Sequence, residues 1–147
     1  MLFLPLLDRK WLPPSLPRNR SHFIVWAVFV LAALFLVAWQ PEQAGLILSM
    51  LLFTALPEEW FFRAYFMTRL GQSWRANLAT SLLFSLLHGL TRGWATALLV
   101  FTPSLFYGWL YQRTRDLPLL VLLHALSNLV FVLFLTELFA TFQGYLR

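Results

Sequence analysis

The feature that most constrains this chain is a succession of long apolar runs with very few charges inside them. Phe23 to Trp39 is seventeen residues without a charge, close to the roughly 20 a helix needs to span a bilayer. Trp26 and Trp39 lie near its two ends, where interfacial aromatics concentrate. A second run starts near Ala44, meets Pro57-Glu58-Glu59 after Leu56, and continues to Leu70. Three more follow, Ala76 to Leu90, Trp94 to Gln112 and Leu117 to Phe139. Pro41, Gly71, Gly93 and Asp116 punctuate the connections. The expected fold is an all-α, polytopic transmembrane helix bundle of about five crossings. Residues 1–22 read as a juxtamembrane segment and residues 23–147 as the membrane core.

Composition agrees with a bilayer as solvent. Hydrophobic residues make up 60% of the 147 and charged residues 12%, against roughly 45–50% and about 25% in soluble domains. A chain this small cannot hide so much apolar surface from water by folding alone. The net charge of +5 falls mostly between the apolar runs, which suits loops beside anionic lipid. It does not form the clustered face of a nucleic-acid binder. The absence of cysteine excludes disulfides, thiolate catalysis and Cys-type zinc sites. Asp8, Arg9 and Lys10 interrupt the first apolar patch, and Pro13, Pro14 and Pro17 break any helix there. The N-terminus is therefore read as juxtamembrane and not as a signal peptide.

Basic residues set the expected orientation. With the N-terminus inside, Arg9, Lys10, Arg18, Arg20, Arg69, Arg75, Arg113 and Arg115 fall on the inner side, and Arg92 and Arg147 on the outer. The expectation is N-in, C-out, in a bacterial cytoplasmic membrane.

Glu58, Glu59, Arg63, His88 and His124 lie within the apolar runs. Each costs at least about 2.5–3.5 kcal/mol near a helix centre, so each calls for a partner or a function. Counted from the inner-side arginines, Glu58, His88, His124 and Asn128 fall about 13–20 Å above the inner boundary at 1.5 Å per residue. Three helices thus place polar side chains in one thin slab. Glu59 and Arg63 are i,i+4 and can pair along one helix. His124 and Asn128 share a face in the same way, and Phe84 stands one turn before His88. Pro57 removes a backbone donor beside the glutamates and loosens the helix there. Each residue also has a structural reading: an ion pair for Glu59–Arg63, and interhelical hydrogen bonding for the histidines and Asn128.

These residues fall into three motifs in a fixed order. Glu58-Glu59-Trp60-Phe61-Phe62-Arg63 resembles the EExxxR motif of the CAAX-protease and bacteriocin-processing (CPBP, or Abi) family. Phe84 to His88 resembles its FxxxH motif, and His124 to Asn128 its HxxxN motif. The resemblance implies an intramembrane endopeptidase of the glutamic type. Glu58 and His88 would activate water, His124 and Asn128 would hold the oxyanion, and Glu59, Arg63 and Phe84 would support them. The partners implied are a membrane-anchored protein or peptide and the lipid bilayer, with no nucleic acid. No feature of the sequence sets an oligomeric state. Family members that process prenylated proteins are usually longer, and some compact bacterial members resemble sorting proteases acting on C-terminal anchors. That is the substrate class expected.

No cofactor is expected. The alternative is a His2Glu zinc site at Glu58, His88 and His124, although HExxH is absent. A non-catalytic immunity or scaffold protein using the same residues as glue is a second class. A small proton-coupled carrier is a third, opposed by the lack of internal repeat.

Overall fold

The computed structural model describes residues 4–14, 20–39, 41–71 and 73–132. All regular structure among them is helical. A single short turn, α1 (Leu4–Leu7), precedes α2 (Arg20–Trp39). The chain continues as α3 (Pro41–Met67), α4 (Trp74–Arg92), α5 (Trp94–Thr114) and α6 (Leu117–Val130). Each apolar run thus forms a helix. The start of α2 lies three residues earlier than the run, and the C-terminal limit at Phe139, with Arg18 and Arg147, lies outside the described residues. The structure supports α2 and α3 as helices long and apolar enough to cross a membrane. By contrast, α4 and α5 are long but diluted by polar residues, for a reason their packing explains.

The molecule is inside-out relative to a water-soluble protein. Glu59, Arg63, Asn77, Asp116 and His124 are buried, while Phe53 is 79% and Leu98 74% exposed. Leu31, Leu34, Phe35, Leu82, Leu90 and Phe106 are also exposed. Apolar surface turned outward in this way fits lipid, where packing and hydrogen bonds, and not apolar burial, hold helices together. The chain is an integral membrane protein.

The α4–α5 hairpin shows how. Gly93, at φ 94°, makes the turn between the two helices, a conformation that costs glycine little. Asn77 donates to the Leu105 carbonyl at 3.0 Å and accepts from Ser81 Oγ at 3.3 Å. Ser85 Oγ donates to the Ala97 carbonyl at 2.6 Å. Gly108 permits the close approach, since a Cβ there would lie 1.8 Å from Asn77 Oδ1. The polar side chains that dilute α4 therefore face the backbone of α5.

Helix α3 is continuous through Pro57 but not regular. Met50–Ala55 and Trp60–Met67 are π-helical, flanking an α-helical turn at Leu56–Glu59. Such widened turns are rare and often sit at functional sites. The expected loosening thus appears as a change of helical pitch, without a break. The N-terminal segment packs against the second widened stretch. Trp11 is buried, stacks edge-on to Trp60 and Tyr65, and donates to the Ala64 carbonyl at 3.2 Å. Asp8 accepts from Tyr65 and pairs with Arg69. At the same end of the bundle, buried Asp116 pairs with His22, accepts from Trp26 Nε1, and caps α6 through Leu119 N at 2.9 Å. This ties α2 to the α5–α6 turn.

Candidate active site

A cavity of about 320 Å³ opens among α3, α4, α5 and α6. Glu58, Phe84, His88, His124 and Asn128 all line it. Four of these, from three helices, are the residues that depth counting placed in one slab. Helix α3 brings Glu58, α4 brings Phe84 and His88, and α6 brings His124 and Asn128. Their i,i+4 spacings keep each pair on one face.

Glu59 and Arg63 do not line the cavity; they lie fully buried behind it. Glu59 Oε2 is 3.3 Å from Arg63 Nε, an ion pair without hydrogen-bond alignment. The other carboxylate oxygen of Glu59 meets His124 Nδ1 at 2.7 Å. Arg63 is held by Ser104, through its Oγ at 2.7 Å and its carbonyl at 3.1 Å. Its guanidinium also lies over the Phe84 ring, 5.0 Å from the centroid. Arg63 is thus a fixed, permanently charged group behind the cavity.

His124 is the hub. While its Nδ1 faces Glu59, its Nε2 lies 3.6 Å from Glu58 Oε2, across the helix interface. That Glu58 oxygen is buried and has no hydrogen-bond partner. Tyr107 stacks on the imidazole at 5.5 Å, and its hydroxyl is 2.6 Å from Ser127 Oγ. Ser127 also donates to the Leu123 carbonyl, so its hydroxyl is engaged and unsuited to act as a nucleophile. His88 is oriented differently. Its Nδ1 lies 3.0 Å from the Phe84 carbonyl, which can only accept, so Nδ1 carries the proton. In the neutral ring, Nε2 is then the acceptor. Phe84 packs on that ring at 4.3 Å.

Sequence reasoning missed the contribution of α5. Thr96, Leu99, Val100, Pro103 and Tyr107 form one wall of the cavity, and Ser104 anchors Arg63. The available signal was a Pro103-Ser104 pair and Tyr107 within an otherwise apolar run. Among the described residues, no three His, Cys, Asp or Glu side chains are gathered in a metal-ligating arrangement.

A sequence model of one family, described as type II CAAX prenyl endopeptidase Rce1-like, matches residues 39–130, more than half of the chain. That span contains all three motifs. No curated protein and no solved structure matches.

Proposed function

The chain belongs to the Rce1-like family of type II CAAX prenyl endopeptidases, and we propose that it is a glutamic intramembrane endopeptidase whose water-activating pair is Glu58 and His88. The observation that carries this reading is a buried oxygen of Glu58 without a hydrogen bond, on a side chain that lines the same cavity as His88, His124 and Asn128.

Water between Glu58 and His88 loses a proton to one of them as its oxygen attacks the scissile carbonyl carbon. The carbonyl becomes an oxyanion, which accepts from Asn128 Nδ2 and from His124 Nε2–H. Two carboxylates against one guanidinium leave one formal negative charge in the cluster. Glu59 fixes the His124 ring from the opposite side. Fixed donors of this kind contribute about 2.7–4 kcal/mol each. Collapse of the tetrahedral intermediate breaks the C–N bond, and the proton taken from water passes to the leaving amine. The products are a carboxylate-ended and an amine-ended fragment.

The protein crosses the membrane about five times with its N-terminus inside. Its substrate is a membrane-anchored protein cut near a C-terminal anchor, as in a compact bacterial sorting protease. The deciding experiment compares membrane proteomes of cells carrying wild type and Glu58→Gln, reading the termini of membrane proteins. Termini present only with wild type are expected; identical termini would overturn the reading. Purified, metal-stripped protein should keep its activity, and complete loss restored by Zn2+ would replace the glutamic mechanism with a zinc one.

A further inference from the structure

The cavity has a direction. Its floor is formed by Glu58, Phe84, Tyr107 and His124, and its opposite end by Thr54, Arg92, Thr96 and Phe131. On α4 the floor and rim residues Phe84 and Arg92 are eight positions apart, about 12 Å of helical rise. On α5, which runs antiparallel, Tyr107 and Thr96 are eleven apart, about 16 Å. Between them the wall is Leu99, Val100 and Pro103. Negative charge thus sits at one end of an apolar slot and a single cation, Arg92, lines the other. Arg92 is exposed and makes no ion pair with a described residue. The Thr96 hydroxyl donates to the Arg92 carbonyl at 3.1 Å, which ties the start of α5 to the end of α4.

We propose that Arg92 is a specificity-determining site that binds a carboxylate of the substrate two to four residues from the scissile bond. The proposal rests on the endopeptidase reading, because it uses the same cavity. Arg92 stands one turn beyond His88, about 6 Å along α4. An extended peptide advances about 3.3 Å per residue, and the length of the arginine side chain widens the reach by a residue or two. A guanidinium presents paired N–H donors that match a carboxylate. The Glu58 end repels the same group, so a peptide enters with its carboxylate toward the rim. The carboxylate is either a free C-terminus or an Asp or Glu side chain.

The test uses protein in nanodiscs and a quenched fluorescent peptide with one apolar core in three forms. One has a free C-terminal carboxylate, one a C-terminal amide, and one the amide with a single Asp two to four residues beyond the cleavage point. Wild type should cleave at least one carboxylate form about tenfold more efficiently than the plain amide, chiefly through KM. Which form gains tells a C-terminus from a side chain. Arg92→Gln should erase the ratio, Arg92→Lys should restore part of it, and Arg92→Glu should shift the preference to a peptide carrying Lys in place of Asp. Equal efficiency on all three forms by wild type, or an unchanged ratio in Arg92→Gln, would overturn the site while leaving the endopeptidase intact. Cleavage of none of them would count against the endopeptidase reading itself.

Discussion

Two buried polar groups of this molecule invite comparison, the α4–α5 seam and the cluster around His124. Along the seam, Asn77 and Ser85 hydrogen-bond carbonyls of α5 directly, and Ser81 reaches α5 through Asn77. The cluster leaves Glu58 Oε2, Glu59 Oε2 and two nitrogens of Arg63 without hydrogen bonds. Both groups are costly to bury. The seam recovers that cost as helix association. The cluster does not recover it fully, and unspent bonding capacity beside a cavity is what a reacting molecule needs.

The comparison breaks most sharply by mutation in the cluster. Glu58→Ala and His88→Ala should abolish cleavage, a loss of more than about a thousandfold, while the protein inserts and purifies as wild type does. Residual cleavage near the wild-type rate would return both residues to the structural class. Next is Arg63→Ala. It strands buried Glu59 and empties the Ser104 contact, and breaking a buried pair costs about 3–5 kcal/mol. Folded yield and thermal stability should fall together with activity, and equal yield with lost activity would make Arg63 a purely chemical residue. The seam should respond in stability and not in chemistry. Gly108→Ala forces a Cβ against Asn77 and should cost about 1–3 kcal/mol. Gly108→Ala combined with Asn77→Ala should cost less than the sum of the two; simple additivity would show that the approach is not a tight one.

The smallest effect is expected at the N-terminal segment. Burial pushes the Asp8 carboxyl up, but the Lys10 backbone N–H, Arg69 and Tyr65 more than offset this and hold it below its ordinary value. A depressed carboxylate pKa contributes stability above the ordinary carboxylate range, and that contribution is lost as the pH falls through the folded value. Asp8→Asn should therefore lower the melting temperature slightly at neutral pH, with the difference closing in acid. A difference constant across that range would remove Asp8–Arg69 from the account.

What the sequence disclosed follows from the range over which its patterns act. Spacing on a single helix was readable, so Glu59–Arg63 and Phe84–His88 form as expected. Depth along each helix was readable too, and Glu58, His88, His124 and Asn128, which share one level, line one cavity. Lateral neighbours were not readable, because no periodicity tells which face of one helix meets which face of another. Ser104 beneath Arg63, Tyr107 on His124 and Asp116 under Trp26 all belong to that kind. Within the segment read as juxtamembrane, Trp11 is buried and donates to the Ala64 carbonyl of α3. An amphipathic indole gives little sign of whether it faces headgroups or a neighbouring helix.

Glu58 and Glu59 are adjacent in sequence, so their directions differ by about 100° around α3, yet they address opposite nitrogens of one imidazole. Any rotation of α3 about its axis must bring one carboxylate toward His124 as it withdraws the other. With the carboxylates roughly 6 Å from the axis, a turn of about 10° displaces each by about 1 Å. The ring works as a differential gauge of helix rotation, balanced between two opposed readings. The hydrogen bond to one carboxylate and the longer gap to the other thus record a particular angular setting of α3.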